Sequence, residues 1–132
     1  MQRLFFLLLF LFPVFVFAQN QQSLDTVKAP ASTENVYNKP LYSDSLSSSF
    51  VIIVKKEVKL HKHVSHTEQV YVISGEADMV LGDKMIHIKP GDVIFIPKNT
   101  PHSAKVTSQE PLKILSIQSP RFDGTDRVFL EK

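Results

Sequence analysis

The sequence predicts an all-β fold, a single-domain two-sheet jelly-roll barrel, and three observations carry that expectation. From Phe50 onward, short runs rich in Val, Ile, Phe and Tyr alternate with clusters of turn residues, the pattern of a sandwich or barrel. No segment shows convincing 3.6-residue periodicity, and no internal repeat is visible. The 132 residues, 43% of them hydrophobic, supply one modest core.

Residues 1–18 have the layout of a secretory signal peptide: Arg3 as the positive start, a run from Leu4 to Phe17 broken only by Pro13, and Val16 and Ala18 before a cut. An uncleaved anchor is the alternative, but this run is shorter than the ~20 apolar residues that span a bilayer. Cleavage after Ala18 removes only Arg3 of the fifteen Lys and Arg, leaving fourteen against thirteen Asp and Glu. A nearly neutral mature chain without a basic patch gives no reason to expect nucleic acid as a partner. The absence of Cys excludes disulfides, thiolate ligands, a catalytic thiol and a lipidated N-terminal Cys. The expectation is a secreted or periplasmic protein with no membrane attachment after cleavage.

Residues 19–47 are rich in Gln, Asn, Ser, Thr and Pro, with hydrophobics only singly, and read as a flexible leader that becomes an extended arm from about Val36. The barrel spans residues 48–120. Its strands fall at 50–54, 58–63, 68–74, 76–81, 84–89, 93–96, 102–106 and 111–118. Gly75 closes the third, and Gly82-Asp83 reads as a type I′ hairpin turn between the fourth and fifth. Pro90-Gly91-Asp92 and residues 97–101 are further turns. The tail, residues 121–132, carries an Asp123-Gly124 turn and a Val128-Phe129-Leu130 run, which suggests a tucked strand that covers the barrel or crosses to a second subunit.

His61 and His63 lie two residues apart and so share one face of an extended strand. Glu68 follows a short turn, and His102 follows a strand punctuated by Gly and Pro. Three imidazoles and one carboxylate converging inside a barrel suit a divalent transition metal, with the carboxylate broadening the choice toward Mn and Fe(II). The competing reading leaves these His residues as decoration of a barrel mouth.

The same residues resemble the two cupin motifs. The first places two His one residue apart, then Glu, then Gly; His61, His63, Glu68 and Gly75 fill those places. In the second, Gly91, Pro97 and His102 match, while Asn99 stands where the motif has its second Gly and Val106 where it has Asn. Neither departure removes a ligand, and Asn tolerates a left-handed backbone. The resemblance implies a cupin double-stranded β-helix, a mononuclear centre of Mn, Fe, Ni, Cu, Co or Zn on His61, His63, Glu68 and His102, and pairing as a homodimer through exposed sheet edges. It is silent on the reaction, since cupins include dioxygenases, isomerases and non-enzymatic binders.

His66 falls in the turn before Glu68; the favoured reading places it in solvent, with a role as ligand or ligand support as the alternative. His87, between Ile86 and Ile88, is expected on the outer surface. Alternation points Val70 and Val72 inward with Glu68, giving an apolar cavity wall completed by Ile94 or Phe95, Ile96 and Leu115. The plain reading of these aliphatics is barrel core. Lys55, Lys56, Lys59 and Lys62 read as a solvated strand face. Glu68 is the sole well-placed carboxylate, and any proton transfer falls to it or to metal-bound water, since a Glu68 bound to metal is not a free base. The expected function is metal-dependent chemistry on a small oxygen-bearing ligand, dioxygenase- or isomerase-like. The alternative is a module that binds metal or a sugar or acid without turnover. A third reading is a metal-free barrel acting through its arm or tail.

Overall fold

The β-branched runs pair into two five-stranded antiparallel sheets, and residues 21–131 are described in this computed structural model. The signal segment and its cleavage after Ala18 lie outside the described residues. In chain order the strands are β1 Val36–Ser43, β2 Ser48–Val54, β3 Glu57–His63, β4 Thr67–Ser74 and β5 Ala77–Leu81. Then come β6 Lys84–Ile88, β7 Val93–Ile96, β8 His102–Val106, β9 Leu112–Ser119 and β10 Arg127–Phe129. One sheet has the order β1-β2-β9-β4-β7 and the other β10-β3-β8-β5-β6. From β2 onward every connection except the β5–β6 hairpin passes from one sheet to the other, so the chain winds as a double-stranded β-helix.

Val54, Val70, Val72, Met79, Ile88, Ile94, Ile96, Leu112 and Ile114 fill the space between the sheets. They alternate with exposed residues along each strand, as one buried face demands. The β3–β4 turn and the β7–β8 turn meet where the Asn99 N–H donates to the His63 carbonyl at 2.6 Å. Asn99 has φ +62°, the left-handed conformation that its side chain tolerates in place of Gly.

Three expectations require correction. The leader expected to be flexible packs on the barrel from Leu24 onward, while the arm expected to lie extended along the barrel from about Val36 does so. A 3-10 turn, Leu24–Thr26, leads to Val27, which is buried against Val51 and Ile53 on the outer face of β2. β1 is a full sheet strand, from Val36 opposite Val54 to Ser43 opposite Ser48. The outer face of β2 is itself apolar, and the singly placed hydrophobics Leu24, Val27, Ala29, Tyr37 and Leu41 together anchor the segment that covers it. The β5–β6 turn is not type I′: Gly82 has φ +62° while Asp83 does not adopt a positive φ, the pattern of type II′. The Cβ of Asp83 disfavours the second left-handed residue that type I′ needs. In the cavity wall, Leu115 and Phe95 face outward; Ile114 and Leu112 take the inner positions because the alternation along β9 runs from Leu112.

Candidate metal centre

β3 does not alternate regularly. Its pairing with β8 is in register at Val58↔Ala104 and again at His61↔His102, with a bulge between. The bulge switches the inward side from Val58 to His61 and His63, re-aiming the imidazoles into the barrel. β8 opens with His102 directly across from His61, and β4 brings in Glu68 from the opposite sheet. The four residues predicted from sequence are therefore brought together, all of them buried.

The ring of His61 hydrogen-bonds through Nδ1 to the Lys59 carbonyl at 2.8 Å, and that of His102 to the Thr100 carbonyl at 2.9 Å. A carbonyl only accepts, so each Nδ1 carries the proton and each Nε2 keeps its lone pair. His63 Nε2 lies 3.7 Å from Glu68 Oε2, and His102 Nε2 lies 3.5 Å from the same oxygen. Neither of these two nitrogens has a hydrogen-bond partner among the described residues. Ligand nitrogens of His61, His63 and His102 all fall within 4.8 Å of one another.

Burial first, and the neighbouring His102 second, lower the pKa of His61 to about 4. Burial and then His66 lower that of His63 to about 4. Both rings are thus neutral near pH 7, the state in which imidazole binds metal. Burial by itself would raise the Glu68 carboxyl, but the neighbouring His102 ring and the hydrogen bond from Ser116 override it and hold it at about 2. Three imidazoles around an ionised carboxylate can hold a divalent transition metal, and the donor set fits one.

Several residues of the centre went unnoticed in the sequence. Ser116 Oγ donates to Glu68 Oε1 at 2.5 Å and Gln118 Nε2 donates to it at 3.3 Å, fixing the carboxylate. The signal was available: on the inner face of β9, Leu112 and Ile114 give way to two polar residues. His66, expected in solvent, is 2% exposed. Asp126, from a tail sixty residues distant along the chain, folds over the turn and explains this. Its Oδ2 accepts from the Ser65 N–H at 3.0 Å and from Ser65 Oγ at 2.7 Å, and lies 2.8 Å from His66 Nδ1. Burial would raise the Asp126 carboxyl, but the two Ser65 bonds hold it at about 2. β10 then pairs with β3, setting Arg127 opposite His63 and Phe129 opposite His61. His87 stands on the outer surface as expected, held between Asp78 at 2.9 Å and Glu76 at 3.0 Å.

Next to the four side chains is a cavity of about 310 Å³. Val70, Met79, Ile96 and Ile114 make its apolar part, and the exposed Lys59 and Arg127 are among its lining.

Fold and centre together define a double-stranded β-helix barrel with a His-rich potential metal site. The Cupin domain family matches residues 49–118, more than half of the chain. An uncharacterized protein of Methanocaldococcus jannaschii is 36% identical over 87 residues, covering 66% of this chain and 69% of that protein. Quercetin 2,3-dioxygenase of Bacillus subtilis is 38% identical over 48 residues, 36% of this chain and 14% of the dioxygenase. Among solved structures, an uncharacterized Klebsiella pneumoniae protein with a double-stranded β-helix domain superposes with a TM-score of 0.74 at 24% identity. That match spans 87% of this chain and all of the other. The chain belongs to the cupin family.

Proposed function

We propose that this cupin holds one divalent transition metal on His61, His63, Glu68 and His102 and binds a small oxygen-bearing ligand in the adjoining cavity. The observation that carries the reading is the pair of buried Nε2 atoms, on His63 and His102, that lack a hydrogen-bond partner among the described residues and face one Glu68 oxygen. A buried polar atom left this way costs ~1–3 kcal/mol, which a bond to a cation removes. The metal, when bound, supplies Lewis acidity or a place for O2 beside the ligand. The protein's own part is to present three lone pairs, fix Glu68 through Ser116 and Gln118, and keep water from the apolar wall. Arg127 and Lys59 favour an anionic ligand such as a carboxylate. The short stretch of likeness to a quercetin dioxygenase supports dioxygenase-like chemistry.

A second reading is supported by the tight hydrogen bonding of Glu68, which leaves no free general base in the cavity: a module that binds metal or a small acid without turnover. Loading with Fe(II) or Mn(II) and measuring O2 uptake on adding catechols or flavonols separates the two, uptake favouring the enzyme. We place the mature chain outside the cytoplasm, in the periplasm or secreted, on the strength of residues 1–18. We also take it to be a homodimer. The exposed outer face of β4 and of edge strand β7, with Tyr71 paired to Val93 and Phe95 beside them, supports that pairing.

The direct test is elemental analysis of the mature protein beside His61→Ala and His102→Ala. The expected result is transition metal in the parent and, in each variant, loss of the ion held on His61, His63, Glu68 and His102. Equal metal in all three would remove the reading.

A further inference from the structure

His63, His66 and Asp126 form a second converging group, each bringing a ring nitrogen or a carboxylate oxygen within 4.8 Å of the others. All three are buried, and the Phe122 ring closes over them, 5.6 Å from the His63 ring and 5.1 Å from the His66 ring. The two hydrogen bonds from Ser65 to Oδ2, with His66 Nδ1 2.8 Å from the same oxygen, lock the Asp126 carboxylate and leave Oδ1 aimed at His63 Nδ1, 3.5 Å away. That distance is too long for a hydrogen bond, and neither atom has another partner among the described residues. It is the separation of two donors on one ion: metal bonds of ~2.1 Å at a near-tetrahedral angle set donor atoms ~3.4 Å apart.

We propose that His63, His66 and Asp126 form a second divalent-cation site, joined to the first through the two nitrogens of the His63 ring. Nε2 of that ring faces Glu68 and Nδ1 faces Asp126, so one imidazole serves both sides. His66 exchanges its bond to Asp126 for one to the cation, moving its own proton to Nε2. His63, with both nitrogens engaged, gives up its ring proton to water. Two nitrogens and one carboxylate oxygen suit Zn(II), Co(II), Ni(II) or Cu(II), with water completing the shell. The Asp126 carboxylate supplies the countercharge. The bridge through His63 rests on the function proposed above, while the His66–Asp126 side of the site is tested separately.

The test is the number of Zn(II) ions bound by the chelator-stripped full chain, read by native mass spectrometry with elemental analysis. Two per chain are expected in the parent, one in His66→Ala and one in His61→Ala. With Cu(II) at two equivalents, the parent should show the magnetic coupling of an imidazolate-bridged pair by electron paramagnetic resonance, and His66→Ala should not. Asp126→Asn, which keeps the side-chain shape, carries the same expectation should His66→Ala melt early. One ion in the parent, kept by His66→Ala and lost by His61→Ala, overturns the second site and leaves the first standing. One ion lost by His66→Ala and kept by His61→Ala supports the second site and removes the first. No ion in the parent overturns both, and a parent with one ion that Asp126→Asn merely weakens overturns the proposal by reducing Asp126 to an orienting group.

Discussion

Ser116 decides whether Glu68 is a fixed ligand or a mobile one. Its hydroxyl and Gln118 occupy Oε1, leaving Oε2 to face His63 and His102. Carboxylates that bind metal depend on such hydrogen bonds, and losing one lowers affinity ~10–100-fold. Ser116→Ala is therefore expected to weaken metal binding by roughly tenfold or more while the barrel stays folded, measured by competition with a chelator of known affinity. Unchanged affinity would mean that Glu68 is not held for a metal. Asn99 makes a complementary point. Its left-handed φ of +62° and its hydrogen bond to the His63 carbonyl preserve the turn that a Gly builds in the family motif, so the departure there is conservative in backbone geometry.

At the scale of elements, strands with strong alternation were legible from residues alone. β4 shows Glu68, Val70 and Val72 inward, and β7 and β8 have the bounds expected of them. What escaped was held by contacts distant in sequence. The β3 bulge depends on pairing with β8, which no local pattern records. The burial of His66 depends on Asp126 arriving from the tail, and Val27 gives no sign in sequence that β2 offers it an apolar face. That last contact is testable. Val27→Asp should lower stability by about 1–3 kcal/mol, seen as a fall in melting temperature, with metal content unaltered because the segment lies on the outer face. An unshifted melting curve would mean that this segment is not packed on the barrel in solution.

For the whole molecule, the buried ionisable groups make the metal-free chain sensitive to acid. His61 and His63 have folded values lowered to about 4, so the unfolded chain takes up their protons first, and stability falls as pH drops from the ordinary histidine range toward 4. Glu68 and Asp126, held at about 2, withdraw further stability as pH falls from the usual carboxylate range toward 2. His87 acts in the opposite sense: Asp78 and Glu76 raise its pKa, so its contribution is present at low pH and lost as pH rises through the raised value. Being exposed, it does not offset the buried groups. Urea unfolding of the chelator-treated chain should show midpoints falling steadily from pH 7 to pH 3. A flat profile would place these imidazoles in water. The winding of the chain between two sheets puts the buried groups in one place, and the most direct check of what they are for is anomalous X-ray diffraction at a metal absorption edge from crystals of the mature protein. The expected result is a peak ~2.0–2.3 Å from ring nitrogens of His61, His63 and His102 and from a Glu68 oxygen. Strong anomalous scattering elsewhere in the molecule, with none among those four side chains, would contradict it.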